Sequence, residues 1–166
     1  MTAQQAFDQH HQAVYSFAYR LTGRPDVAED IAQECFLALV RAPQRYDPAQ
    51  ASMKVYLFSI ARNLALKRYR DTRAEQLDED SEDLLVIDPR DSLDIGTAVA
   101  TAVASLPQLQ QEALILFEYE GVTLEEVAKI VGADVGTVKS RLHRARERLR
   151  KSLVAYRKVE STHGPV

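Results

Sequence analysis

The sequence has no tryptophan and a single cysteine, Cys35, in 166 residues. One cysteine excludes an internal disulfide and fits a reducing compartment, so a cytoplasmic location is expected. No run of about 18 apolar residues occurs, so no membrane insertion is expected. The opening MTAQQAFDQHHQ is polar, unlike a signal peptide. His10 and His11 have no cysteine or carboxylate cluster at ligand spacing, which argues against a metal. There is no nucleophile–base pairing and no glycine-rich phosphate loop, so neither catalysis nor a cofactor is expected. Repeats are absent, and no period-two alternation extends beyond a few residues.

What is present is segregated charge. The net charge is only -3, yet residues 71–94 carry ten acids against two bases. From 135 to 151 there are seven bases against one acid, Glu147. This reads as a solvated acidic connector and a local basic face, or more plainly as two stretches of charged surface. The connector's acids can also compete with phosphates for the basic face.

Helical periodicity dominates. A first helix is predicted over Thr2–Leu21, closed by Gly23 and Pro25. Asp26 is a plausible cap for a second, Val27–Val40, whose buried stripe is Val27, Ala28, Ile31, Ala32, Cys35, Phe36 and Leu39. On that stripe Cys35 reads as a small buried hydrophobe rather than a redox sensor. A loop at 44–51 follows, then a third helix over Ser52–Asp71 with Leu57, Ile60, Ala61 and Leu64 facing the core. Arg62, Asn63, Lys67 and Arg70 line its opposite, polar side. Helix resumes near Asp94 and runs to Ser105, with Pro107 opening another that Gly121 closes.

Two short-linked helices come next. Thr123 and Glu126 form a capping-box pattern ahead of Leu124, Val127, Ala128 and Val131, and Gly132 is a natural left-handed stop. Asp134 can cap the last helix, where Val138, Leu142, Ala145, Leu149 and Leu153 make one apolar stripe. The stripe turns Thr137, Ser140, Arg141, Arg144 and Arg148 outward, flanked by Lys139 and His143. Two helices joined by a tight glycine-containing turn are a helix-turn-helix unit, whose second helix enters the DNA major groove. Hydroxyls and small residues near its start allow close approach, and arginines suit phosphates and guanine edges. The bland alternative is an arginine-rich amphipathic surface helix.

GTVKSRL (136–142) followed by RARERL (144–149), with Leu106-Pro107 upstream, resembles the promoter-reading C-terminal domain of extracytoplasmic-function (ECF) sigma factors of the sigma-70 family. DVAEDIAQECF (26–36) is similar to that family's core-polymerase-binding helix, and LFSIARNLAL (57–66) to the helix that reads the −10 element. The resemblance covers nearly the whole chain. It departs at Tyr56, where the family usually has tryptophan, and at Lys67, where aspartate is frequent. The first change keeps an aromatic; the second adds positive charge beside DNA.

The resemblance implies an all-α protein of two small helical domains: 1–72, binding core polymerase and the −10 element, and 97–158, a helix-turn-helix domain binding the −35 element. A flexible acidic linker, 73–96, joins them, and a disordered tail, 159–166, follows. Asp30, Gln33 and Glu34 would contact polymerase, and Tyr46, Arg62, Asn63, Lys67 and Arg70 the −10 element. Tyr46 would stack on a flipped base, although an aromatic at a helix–loop junction is more often packing. Thr137, Lys139, Ser140, Arg141, Arg144 and Arg148 would contact the −35 element. The implied partners are core RNA polymerase and promoter DNA, with an anti-sigma factor as a further candidate. A self-sufficient helix-turn-helix regulator is the rival class, but no dimer element is evident to span paired half-sites. A protein-only helical adaptor is a third, against which the basic helix counts.

Overall fold

The computed structural model describes residues 1–72, 87, 94–154 and 156, with side chains of the third helix as far as Arg68. The expected linker lies outside the described residues except for Ile87 and 94–96, and the tail 159–166 lies wholly outside them. All regular structure among the described residues is helical: α1 (Ala3–Thr22), α2 (Pro25–Arg41), α3 (Met53–Thr72), α4 (Ile95–Ala104), α5 (Gln108–Leu114), α6 (Leu124–Val131) and α7 (Val135–Ser152).

Local chemistry sets the ends. Thr2 accepts from the Gln5 N–H at 3.1 Å while the Gln5 side chain accepts from the Thr2 N–H at 2.8 Å, a closed capping box that starts α1. Gly23 stops that helix in the left-handed region at φ 69° and donates to Tyr19 O. At α2 the expected Asp26 cap is not formed. Arg24 is the extended cap residue, Pro25 takes the first helical position, and Asp26 sits inside the first turn. Proline's fixed φ suits that place, and the carboxylate still favours the positive helix end. Asp94 caps α4 by accepting from the Thr97 N–H at 2.7 Å.

Helix α3 is the centre of the structure. It packs on α1 and α2 on one side and on α6 on the other. Leu57, Phe58 and Ala61 are fully buried, and Ile60 and Leu64 only partly so. Phe17 of α1 meets Phe58 with ring centroids 5.0 Å apart. Burying such side chains contributes roughly 1.5–3 kcal/mol each. One contiguous apolar cluster runs from Ala6 through α3 to Ala145, so the N-terminal unit (α1–α3) and the C-terminal unit (α4–α7) share an interface. Helix α5 runs on into a π-helical turn, Ile115–Tyr119, after which the Glu120 N–H reaches back to Ile115 O at 3.0 Å. Ile87 docks on the far end of α7: its N–H donates to Ser152 O at 3.0 Å, and its side chain is buried against Ala98, Ala102 and their neighbours.

Cys35 is fully buried on α2, and burial pushes its thiol up to about 12. The thiolate, which is the nucleophile, is therefore scarce near neutrality. Alkylation of the native chain with iodoacetamide should be slow at pH 7–8 and become fast only in denaturant. Native-state labelling as fast as that of a free thiol would contradict the packing of α2 on α1 and α3.

Candidate nucleic-acid and polymerase interfaces

Helices α6 and α7 form with the caps that the local signals specify and are joined by a short turn at Gly132–Asp134. Thr123 accepts from the Glu126 N–H at 3.1 Å, and the Glu126 carboxylate accepts from the Thr123 N–H at 3.0 Å. Gly132 ends α6 at φ 69°. Asp134 then caps α7 by accepting from the Thr137 N–H at 2.7 Å. That backbone hydrogen bond is the main reason the Asp134 carboxyl lies below its usual range. Val127, Val131, Val138, Leu142 and Ala145 are buried between the two helices and the units beneath them. The outer face of α7 opens into a shallow recess lined by Asp134, Gly136, Thr137, Ser140, Arg141 and Arg144. Lys139, Ser140 and Arg144 are exposed, while Thr137, Arg141 and Arg148 are partly buried. The recess thus combines two hydroxyls and two guanidiniums, suited to base edges and anionic oxygens, beside the Asp134 carboxylate that already occupies the helix N-terminus.

On α2, Asp30, Gln33 and Glu34 are all exposed. Arg68 of α3 reaches toward both acids, 3.8 Å from Asp30 and 3.6 Å from Glu34. Leu37 and Val40 extend the same face at 43% and 60% exposure. The sequence reading missed these two as surface residues. Their signal was their position off the buried stripe of α2. The face is therefore acidic at one end and apolar at the other, a surface able to pair with a basic helical partner.

The expected −10 residues are not presented together. Asn63 and Lys67 are exposed, whereas the Arg70 side chain lies outside the described residues. Tyr46 packs against Tyr56 with centroids 5.1 Å apart, and its hydroxyl donates to Ala51 O at 3.0 Å. Arg62 is turned into the seam between the units. Its Nε and Nη2 donate to the two carboxylate oxygens of Glu112, each at 2.9 Å. The side chains are 14% and 1% exposed. Burial pushes the Glu112 carboxyl up; the Arg62 hydrogen bonds and charge, and then the Arg141 charge, pull it down. In the same seam Arg20 pairs with Glu120 at 3.3 Å and lies over the Tyr119 ring. Lys54 donates to Glu120 O at 2.9 Å, and Lys129 of α6 donates to Gln50 O at 2.8 Å. Sequence reasoning singled out none of Arg20, Lys54, Glu112 and Glu120.

Among the described residues no group of His, Cys, Asp and Glu could hold a metal. Among the same residues no helix is long and apolar enough to cross a membrane.

The Asp134 cap generates a pH prediction. A carboxyl whose native pKa lies below its unfolded value stabilises the fold above the unfolded value, and that contribution is lost as pH falls through the native pKa. The Thr137 amide proton should therefore titrate with a midpoint below 3.8, the ordinary aspartate value. In Asp134→Asn the step should vanish while α7 persists, because asparagine also caps. An Asp134-dependent step at or above that value would contradict the cap.

Sigma-70 region 2 matches residues 6–75, and Sigma-70 region 4 matches 97–149. The ECF RNA polymerase sigma factor SigE of Mycolicibacterium smegmatis is 36% identical over 157 residues, 89% of this chain and 60% of that protein. The chain thus spans three fifths of that relative's length. SigW of Bacillus subtilis, also an ECF RNA polymerase sigma factor, is 31% identical over 88% of this chain and 86% of its own length. Among solved structures, the sigma factor RpoE of Bartonella quintana, in complex with the anti-sigma factor NepR, has a TM-score of 0.72 at 30% identity, covering 90% of this chain and 95% of that one. CnrH, in complex with the cytosolic domain of CnrY, has a TM-score of 0.70 at 25% identity over 92% and 88% of the two chains. Two family models in order along the chain, with relatives matched over most of their length, leave one conclusion: the chain belongs to the ECF RNA polymerase sigma factors of the sigma-70 family, non-enzymatic factors that direct promoter-specific transcription initiation.

Proposed function

We infer that this chain is a dissociable initiation factor: residues 1–72 bind core RNA polymerase and the −10 element, and residues 97–158 bind the −35 element. The observation that carries the reading is the outer face of α7, where Thr137, Ser140, Arg141 and Arg144 surround one open recess at the start of a capped recognition helix. Lys139 and Arg148 flank it and suit phosphates on either side. On α2, the polar set Asp30, Gln33 and Glu34 lies beside exposed Leu37 and Val40, which supports docking on a basic helical element of polymerase. Asn63 and Lys67 on α3, with Arg62 and Arg70, form the −10 set; an asparagine amide can pair with a base edge and the cations with phosphates. The packing of Tyr46 on Tyr56 supports a structural role for that ring over stacking on a flipped base.

Residues 73–93 join the two units as an acidic linker, three residues shorter than expected because Asp94 caps α4 and Ile95 and Gly96 lie in its first turn. Residues 159–166 form a tail. The chain works in the cytoplasm, where polymerase is. Similarity over nine-tenths of its length to a sigma factor held by an anti-sigma factor supports a partner of that kind here.

Run-off transcription with purified core polymerase on a genomic fragment library tests the class and finds the promoter together. Discrete, factor-dependent transcripts are expected; none from any fragment would overturn the reading. Asp30→Ala with Gln33→Ala should weaken core binding without changing helix content, and unchanged affinity for labelled core would remove that face from the assignment. Arg141→Ala and Arg144→Ala should each weaken holoenzyme binding to the −35 element. A lost phosphate contact lowers the salt slope by about one unit, and a lost base contact costs about 1–3 kcal/mol and relaxes specificity. Parental binding by both variants across a salt series would misplace the recognition helix.

A further inference from the structure

We propose that the Arg62–Glu112 pair is an intramolecular lock: in the free chain Glu112 occupies the guanidinium that α3 would offer to DNA, and the two units must part before α3 can read a promoter. What the lock hides rests on the sigma-factor reading above; the lock itself rests only on the contact.

The geometry of the pair and of the seam around it carries the proposal. Glu112 receives both donors of the Arg62 fork, the bidentate arrangement that a phosphate would otherwise accept. With 14% and 1% of the side chains exposed, an incoming nucleic acid reaches neither partner while the seam is shut. The seam also has a consistent polarity. Arg20, Lys54 and Arg62 of the N-terminal unit all meet acceptors between Glu112 and Glu120 of the C-terminal unit. The π-helical turn Ile115–Tyr119 leads directly into Glu120, which offers a carboxylate to Arg20 and a carbonyl to Lys54. Finally, a buried ion pair fixes a register more effectively than it stabilises, because desolvating both charges offsets much of their attraction. Such a contact closes in one geometry yet can be opened by a partner that binds the separated form better. The field of Arg141 at Glu112 links the same acid to the recognition helix, so one carboxylate sits between cations of both expected reading elements. The sequence alone pointed to the acidic run 71–94 as the competitor for DNA; Glu112 lies outside it, in α5.

The test uses the full chain and two readouts. Small-angle scattering reports closure without reference to function. Fluorescence anisotropy with a fluorescein-labelled single-stranded DNA oligonucleotide reports access to α3. Glu112→Arg and Glu112→Gln should both enlarge the radius of gyration, Glu112→Arg more. If about one-tenth of the wild-type chain is open, Glu112→Arg should bind the oligonucleotide roughly tenfold more tightly. Glu29→Arg on exposed α2 makes the same charge change away from the seam and should do neither. The swap Arg62→Glu with Glu112→Arg should restore the compact radius without the gain in binding. Should Glu112→Arg lose helicity by circular dichroism, Glu112→Gln and the swap decide. An unchanged radius and affinity in the folded Glu112 variants would overturn the lock. Opening without factor-dependent run-off transcription would instead count against the sigma-factor reading and leave the lock standing.

Discussion

Arg62 and Glu112 are fifty residues apart in sequence and meet in a fork at 2.9 Å inside the seam between two helical units. A charge buried there is tolerable only when paired, and removing one partner of such a pair costs about 3–5 kcal/mol as long as the seam stays shut. That constraint sets the relative placement of the units. With Arg62 on Glu112, α3 lies against α6, Lys54 reaches the end of the π-helical turn and Lys129 reaches the loop before α3. The apolar surface around the pair, from Phe58 to Ile115 and Leu116, supplies the burial; the charges supply the register.

The same helix must satisfy two demands. Leu57, Phe58 and Ala61 tie α3 to its own unit, while its polar positions divide between solvent and seam. Asn63 and Lys67 stay outside and Arg62 goes in, so only part of the expected −10 surface is available in the closed form. Helix α7 differs. Its caps and apolar stripe are complete within the C-terminal unit, and its outer face opens into the recess at Thr137, Ser140, Arg141 and Arg144. In this closed form the outer face of α7 is open while Arg62 of α3 is not.

Much of the fold was legible because it is encoded at short range. The α6 bounds and its capping box, Gly132 and the Asp134 cap follow from residue types within four positions of one another. The buried stripe of α2 likewise follows from helical spacing. The misses share a cause. At the start of α2, proline's fit to the first helical position displaced the expected Asp26 cap. Spacing placed Arg62 on the polar side of α3 but could not say that this side meets a second unit carrying Glu112. Glu112 and Glu120 drew no notice because an isolated glutamate in a helix reads as solvated surface, and only tertiary packing buries the first of them fully. Leu37 and Val40 lie off the buried stripe that helical spacing marks, and spacing alone does not single out an exposed apolar residue.

The central claim is that this chain reads promoters as a subunit of polymerase and not by itself. Fluorescence anisotropy on one cognate promoter duplex, with the free chain and with the chain plus core polymerase, addresses it most directly. Core should convert weak, salt-sensitive binding into tight, sequence-specific binding, because docking separates the units and fixes the spacing of α3 and α7 before DNA arrives. Tight and sequence-specific binding by the free chain, unchanged when core is added, would contradict the account and favour a self-sufficient regulator.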